Sequence, residues 1–192
     1  MNNIAIFASG SGTNAENLIT HFRNNKIISK VLIFTENPNA FVLKRAAKLN
    51  VESIVFTKEE LINGKVLSIL EKNKIHFIIL AGFLKLIPGE ITTVYKNRIV
   101  NIHPALLPNY GGKGMYGDKV HSAVIQSGEK ESGVTIHFVN SKYDEGDIIL
   151  QVKCPVFYDD TPETLAKRVH ELEYRYYPEV VMKLLKNLQA TR

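Results

Sequence analysis

Along this chain, apolar runs that read as strands alternate with stretches of helical spacing. That rhythm constrains the fold more than any other feature. "NIAIFAS" precedes a helical stretch from about Asn14 to Asn24. "KVLIFTE" precedes "AFVLKRAAKLN", in which Phe41, Leu43, Ala46, Ala47 and Leu49 recur near helical spacing. "ESIVF" precedes a helix that Thr57 is placed to cap, with Asn63-Gly64 as a breaking point. "HFIILAG" precedes a shorter stretch beginning near Pro88, and "RIVNIHP" leads through a glycine-rich loop into "DKVHSAVIQSG". The early strands are continuously apolar, the pattern of strands covered by helices on both faces. Strand, helix, strand in this order implies a Rossmann-like, doubly wound, mostly parallel sheet.

The last third changes character. "GVTIHFV" and "DIILQVKCPV" are joined only by "NSKYDEG", too short for a crossover helix, so an antiparallel pair is expected there. A long closing helix follows, with Thr161 as N-cap and Pro162 at its first position. Pro178 inside that pattern predicts a kink or break near Tyr177.

The chain has 192 residues, which suits a single domain over 1–192. With 45% hydrophobic and 22% charged residues it has the composition of a globular protein. No apolar stretch reaches the roughly 18 residues of a membrane helix. The first residues carry no export signal, and the one cysteine, Cys154, excludes an internal disulfide. A cytoplasmic location is expected. The net charge of +5 fits anionic small molecules. The basic residues are scattered, and neither a nucleic-acid nor a membrane partner is expected.

The turn after the first strand, "SGSGTNAENL", reads in two ways. Residues 10–15 match the G-x-G-x-x-G/A dinucleotide pattern, and Glu36 stands about where that pattern has a ribose-binding acid. The same two glycines and the helix start behind them suit a single phosphate equally well. Ser9, Ser11, Thr13 and Asn14 add polar groups that a terminal phosphate would use. A merely structural tight turn is the third reading.

In "RIVNIHPALLP", strand alternation puts Asn101 and His103 on one face, near the strand's C-terminal end, where ligands sit in such sheets. An amide can donate to an oxygen that gains negative charge, and an imidazole can move protons near neutral pH. Together they suit attack of an amine on a carbonyl-level carbon, although two polar residues satisfied at a strand end would look the same. A histidine in this role needs an orienting carboxylate, and Asp144, Glu145 and Asp147 in the late turn are rivals for it. No metal-ligand spacing is evident.

Taken in order, G-S-G-T-N, "LAGFLKLIP", "NIHPALLP", "GVTIHFV" and "YDEGDIILQ" resemble the phosphoribosylglycinamide formyltransferases, over about residue 3 to Pro178. The resemblance implies transfer of the formyl group of 10-formyltetrahydrofolate, a co-substrate, to the amine of 5-phosphoribosylglycinamide in purine biosynthesis, without metal, by a monomer or homodimer. It implies that Asn101 binds the formyl oxygen, that His103 is the acid/base, and that Asp144 holds His103 and raises its pKa. Gly12, Thr13 and Asn14 would cradle the phosphate, which settles the turn in favour of one phosphate. His170 and Glu173, three apart on the closing helix, would hold the ribose and glycinamide. Leu84, Lys85, Leu86 and Ile87, with Val139, Asn140, Ser141, Lys142 and Tyr143, would line the folate pocket. His121 and His137 match polar positions near the site, and His137 fits a core histidine as well. Lys85 stands where arginine is common, and the loop "YGGKGMYGDKVH" is richer in glycine than usual.

Overall fold

The alternation is realised as one seven-stranded sheet in the computed structural model, which describes residues 1–23 and 25–190. The chain runs β1 (Asn2–Phe7), α1 (Thr13–Phe22), β2 (Ile28–Thr35), α2 (Phe41–Lys48), β3 (Glu52–Val55), α3 (Lys58–Ile62), α4 (Lys65–Lys72) and β4 (Phe77–Leu80). It continues through α5 (Gly89–Val94), β5 (Ile99–His103), α6 (Asp118–Gln126), β6 (Glu131–Phe138), β7 (Ile148–Pro155) and α7 (Pro162–Ala190). The strand order is β3-β2-β1-β4-β5-β6-β7. The pairs from β3 to β5 are parallel, while β5–β6 and β6–β7 are antiparallel.

Alternate residues of the inner strands feed two cores. Ile4, Ile6, Ile33, Ile79, Val100 and Ile102 pack with α1, α6 and α7 on one face. Ala5, Phe7, Leu32, Phe34, Ile78 and Ile99 pack with α3, α4 and α5 on the other. Thr57 caps α3 in a capping box with Glu60, and the chain breaks at Asn63-Gly64 before α4. The first helix begins at Thr13 and ends at Phe22; Asn24 lies outside the described residues.

The expected break at Pro178 does not occur: α7 is helical through it. Proline removes the N–H that would bond the carbonyl of Tyr174. Asn17 of α1 supplies the missing donor, its Nδ2 lying 2.9 Å from that carbonyl oxygen. Tyr177, fully buried, anchors the same helix to the sheet by donating to the carbonyls of Leu80 (2.8 Å) and Val100 (3.2 Å). Among the described residues no helix is long and apolar enough to cross a membrane.

Candidate active site

The strand order reverses direction between β1 and β4, and ligands of doubly wound sheets bind outside the strand ends at such a point. A cavity of about 610 Å³ opens there. Its walls are the turn at residues 10–14, residues 81–85 after β4, the end of β5, the loop 112–118, Asp144, and His170 and Glu173 of α7. That volume suits a small-molecule site.

The turn after β1 is held in a shape that needs glycine. Gly12 has φ 73°, and a Cβ there would lie 2.4 Å from Val42 Cγ2. Ser9 does not join the cavity wall. It is buried, its Oγ accepts the Leu84 N–H (2.9 Å), and its own N–H donates to the Gly82 carbonyl (3.0 Å). Ser9 thus ties the two turns together rather than facing a ligand. Asn14 donates from Nδ2 to Glu173 Oε2 (2.8 Å), and its Oδ1 is buried without a partner among the described residues. His170 Nδ1 lies 2.7 Å from the same Glu173 oxygen. Glu36, which the dinucleotide pattern would need, is not part of the cavity.

The antiparallel pairing of β5 and β6 sets Asn101 opposite His137 and His103 opposite Thr135. Directly opposed residues share a face, so one polar cluster forms from two strands. His137 is therefore neither isolated nor merely core: its Nε2 is 3.1 Å from Asn101 Nδ2, and its Nδ1 is 2.8 Å from the Phe138 carbonyl. The carbonyl requires a proton on Nδ1, so in the neutral ring Nε2 accepts from Asn101. The second Asn101 N–H points to Asp144 Oδ1 at 3.4 Å, a long bond.

Of the three rival acids it is Asp144 that meets the histidines. Its Oδ2 lies 3.6 Å from His103 Nδ1 and accepts the Gly112 N–H at 2.9 Å, and its Oδ1 lies 3.6 Å from His137 Nε2. Glu145 pairs with Lys142 instead. A short turn makes this approach feasible: Asp144 sits at φ 55°, and a Cβ on Gly146 would lie 1.7 Å from the Phe138 carbonyl oxygen. His103 Nε2 is 2.7 Å from the Tyr110 carbonyl, which fixes a proton on that nitrogen and leaves the neutral ring's lone pair on Nδ1.

Burial pushes the His103 pKa below its ordinary value, against an upward pull from Asp144 and the Tyr110 carbonyl. The expected upward pull of Asp144 is present, but desolvation outweighs it. Burial works to raise the Asp144 carboxyl, yet His137, His103 and the Gly112 N–H together hold it below the usual range. A carboxylate thus faces a neutral imidazole. His170 is shifted upward by its bond to Glu173, and His121 downward by burial. His121 lines the cavity from α6, and its Nδ1 is buried without a partner among the described residues.

The residues expected on the folate side divide. Leu84, Lys85 and Tyr143 line the cavity. Leu86 lies off the wall, exposed, and Ile87 is buried in the core beside α5. Val139 packs against that same core. Ser141 and Lys142 lie off the wall as well, and Asn140 spends its side chain on the Lys142 N–H and the Glu145 carbonyl.

Other residues support the site from outside the cavity wall or from its rim. Gln151 donates from Nε2 to the Leu107 carbonyl (2.8 Å) and to Thr135 Oγ1 (3.0 Å). Thr135 Oγ1 in turn donates to the Ala105 carbonyl (2.6 Å) and accepts the Leu107 N–H (3.0 Å). These bonds pin the chain just after His103. The final glutamine of "YDEGDIILQ" was visible as part of a motif, but its target lies 44 residues earlier and carries no local mark. Gly82, at φ 74° beside Ser9, and residues 113–117 also line the cavity. Among the described residues no group of three or more His, Cys, Asp or Glu side chains is placed to hold a metal ion.

A family model described as Formyl transferase matches residues 2–181 of the chain. The phosphoribosylglycinamide formyltransferase of Bacillus subtilis is 34% identical over 191 residues, 96% of this chain and 95% of that protein. The chloroplastic phosphoribosylglycinamide formyltransferase of Arabidopsis thaliana is 42% identical over 185 residues, 93% of this chain; the chain spans only 63% of that plant protein's length. The crystal structure of the Streptococcus pneumoniae phosphoribosylglycinamide formyltransferase superposes with a TM-score of 0.84 at 38% identity, covering 96% of this chain and 99% of that one.

Proposed function

We propose a reaction from one premise: this chain belongs to the formyl transferase family. It moves the formyl group of 10-formyltetrahydrofolate onto the amine of 5-phosphoribosylglycinamide, a step of purine biosynthesis. The curated relatives named for that activity support this reading. One observation carries the chemistry. His103 and Asp144, 41 residues apart, stand 3.6 Å from each other on the cavity that also holds the anion-type turn.

The turn at residues 10–14 takes the phosphate: Gly12 and Thr13 present their N–H groups at the start of α1, where the helix dipole is positive. Asn14 Oδ1 and the Glu173 carboxylate, both acceptors, face the ribose hydroxyls and the glycinamide. Leu84, Lys85 and Tyr143 flank the pterin end of the donor.

With both substrates bound, the amine nitrogen attacks the formyl carbon and a new C–N bond forms. Charge develops on the formyl oxygen, and Asn101 turns the N–H now loosely held by Asp144 toward it. The proton released by the attacking nitrogen goes to neutral His103, and Asp144 stabilises the resulting imidazolium. The C–N10 bond of the folate then breaks, and the departing nitrogen takes a proton from His103. Atoms and charge balance without a covalent enzyme intermediate.

The test is a direct assay of formyl transfer to 5-phosphoribosylglycinamide beside an amino-sugar nucleotide and methionyl-tRNA. Turnover only on the first acceptor supports the proposal. Turnover on either of the others with none on the first would replace it.

A further inference from the structure

The turn at residues 10–14 is braced from outside. Two successive carbonyls, of Gly10 and Ser11, are tied from outside by the first turn and a half of α2. The Val42 N–H donates to the Gly10 carbonyl (3.1 Å), and Arg45 Nε donates to the Ser11 carbonyl (2.9 Å). The Arg45 guanidinium is itself fixed, by Glu16 of α1 through Nη1 and by the Phe41 ring, whose centroid is 5.1 Å away.

In a trans peptide the C=O and the following N–H point in opposite directions. Tying the Gly10 carbonyl to Val42 therefore sends the Ser11 N–H the other way, and tying the Ser11 carbonyl to Arg45 does the same for the Gly12 N–H. The other way is the cavity, since residues 10–14 form its wall. Among the described residues neither of those N–H groups donates to a protein acceptor. Val42 also closes the back of the turn, leaving no room for a side chain on Gly12. An adjacent pair of N–H groups ending in a left-handed glycine is the concave arrangement that binds anions.

From this we infer that Arg45 is a positioning residue for the acceptor's phosphate: it holds the Ser11 carbonyl so that the Gly12 N–H faces the anion. It touches no substrate, and its charge is balanced by Glu16, so its effect is through geometry. The inference rests on the proposed phosphate-bearing acceptor and adds which residue outside the turn sets its affinity.

The experiment is steady-state kinetics of the wild-type protein, Arg45→Ala and Arg45→Lys, with inorganic phosphate as a competing anion and thermal unfolding alongside. In Arg45→Ala the KM for 5-phosphoribosylglycinamide and the inhibition constant of phosphate should each rise at least about tenfold, the scale of one charge-assisted hydrogen bond. The KM for the formyl donor and kcat should stay within about threefold, a lost ground-state contact being expected to raise KM rather than lower kcat. Lysine keeps the charge but lacks the planar fork that serves Ser11 and Glu16 at once, so Arg45→Lys should fall between the two. An unchanged acceptor KM in Arg45→Ala overturns the inference. So does a wild-type KM in Arg45→Lys, which would make charge alone sufficient, or a rise in both substrates' KM together with a fall in Tm. If Arg45→Ala does not fold, the lysine variant alone decides. A wild-type protein that neither formylates this acceptor nor is inhibited by phosphate would remove the substrate reading itself, a failure visible before any variant is compared.

Discussion

In the proposed reaction His103 acts as a base by virtue of where it is buried. Desolvation keeps the ring neutral, and Asp144 is close enough to stabilise the charge when a proton arrives. Removing the ring in His103→Ala should lower kcat/KM at least about 100-fold, the usual scale for a general acid-base group. Turnover near the wild-type value would end its assignment. Asp144→Asn isolates the carboxylate's share. Asparagine tolerates the left-handed backbone at this position, so the turn should survive. The charge that pulls the His103 pKa upward is lost, and burial then acts unopposed by it. The acid limb of kcat/KM against pH should therefore move to lower pH while the plateau falls. A limb that stays put would show that His103 is not the group being titrated. The amide of Asn101 depends on a third residue in the same way, since His137 Nε2 takes one of its hydrogens. That dependence was illegible in sequence because it arises from register: β5 and β6 pair residue 101 with 137 across a connection carrying all of α6.

At the scale of elements, the legible features were those with local causes. Thr57 with Glu60, the glycine at the start of α4, and the brevity of "NSKYDEG" each act within a few residues, and each element formed as they imply. Pro178 shows where such reasoning stops. Its local effect, an orphaned carbonyl at Tyr174, is real, but the donor that answers it is 157 residues away on α1. Asn17→Ala should therefore cost about 1 kcal/mol, the usual net value of a hydrogen bond. Pro178→Ala restores a backbone N–H for the same carbonyl. In that background Asn17→Ala should cost much less, and denaturant melts of the two single variants and the double variant measure the difference. Equal costs in both backgrounds would mean that Asn17 holds α7 by something other than the orphaned carbonyl.

For the molecule as a whole, the sheet's two cores are set by alternation along apolar strands, which is why the architecture could be read directly. The site could be read only where a motif carried it. Arg45, Gln151 and Tyr177 serve it from elements whose own patterns look structural, and each has among its targets a backbone carbonyl, which carries no residue identity. Carrying ionisable groups in this assembled centre couples folding to pH. His103 and His121 have folded pKa values below the ordinary 6.5, both through burial. Between the folded value and about 6.5 the unfolded chain binds more protons, so stability falls as pH drops through that window. His170 has the opposite sign: its bond to Glu173 raises its pKa, so its contribution is full below about 6.5 and is lost only above it. Asp144 adds its own loss at lower pH, below the ordinary carboxylate range near 3.8, as its depressed carboxyl is protonated. Between pH 6.5 and 5 the two buried histidines therefore act against the fold. His121 is the one to remove, because its Nδ1 has no partner to lose among the described residues, although His103, His170, Glu173 and Asp118 all act on its charge. His121→Leu should raise Tm at pH 5 more than at pH 6.5, narrowing the gap between the two values seen in the wild-type protein. A gap of unchanged width would assign the acid sensitivity elsewhere and leave His121 without a thermodynamic role in the fold.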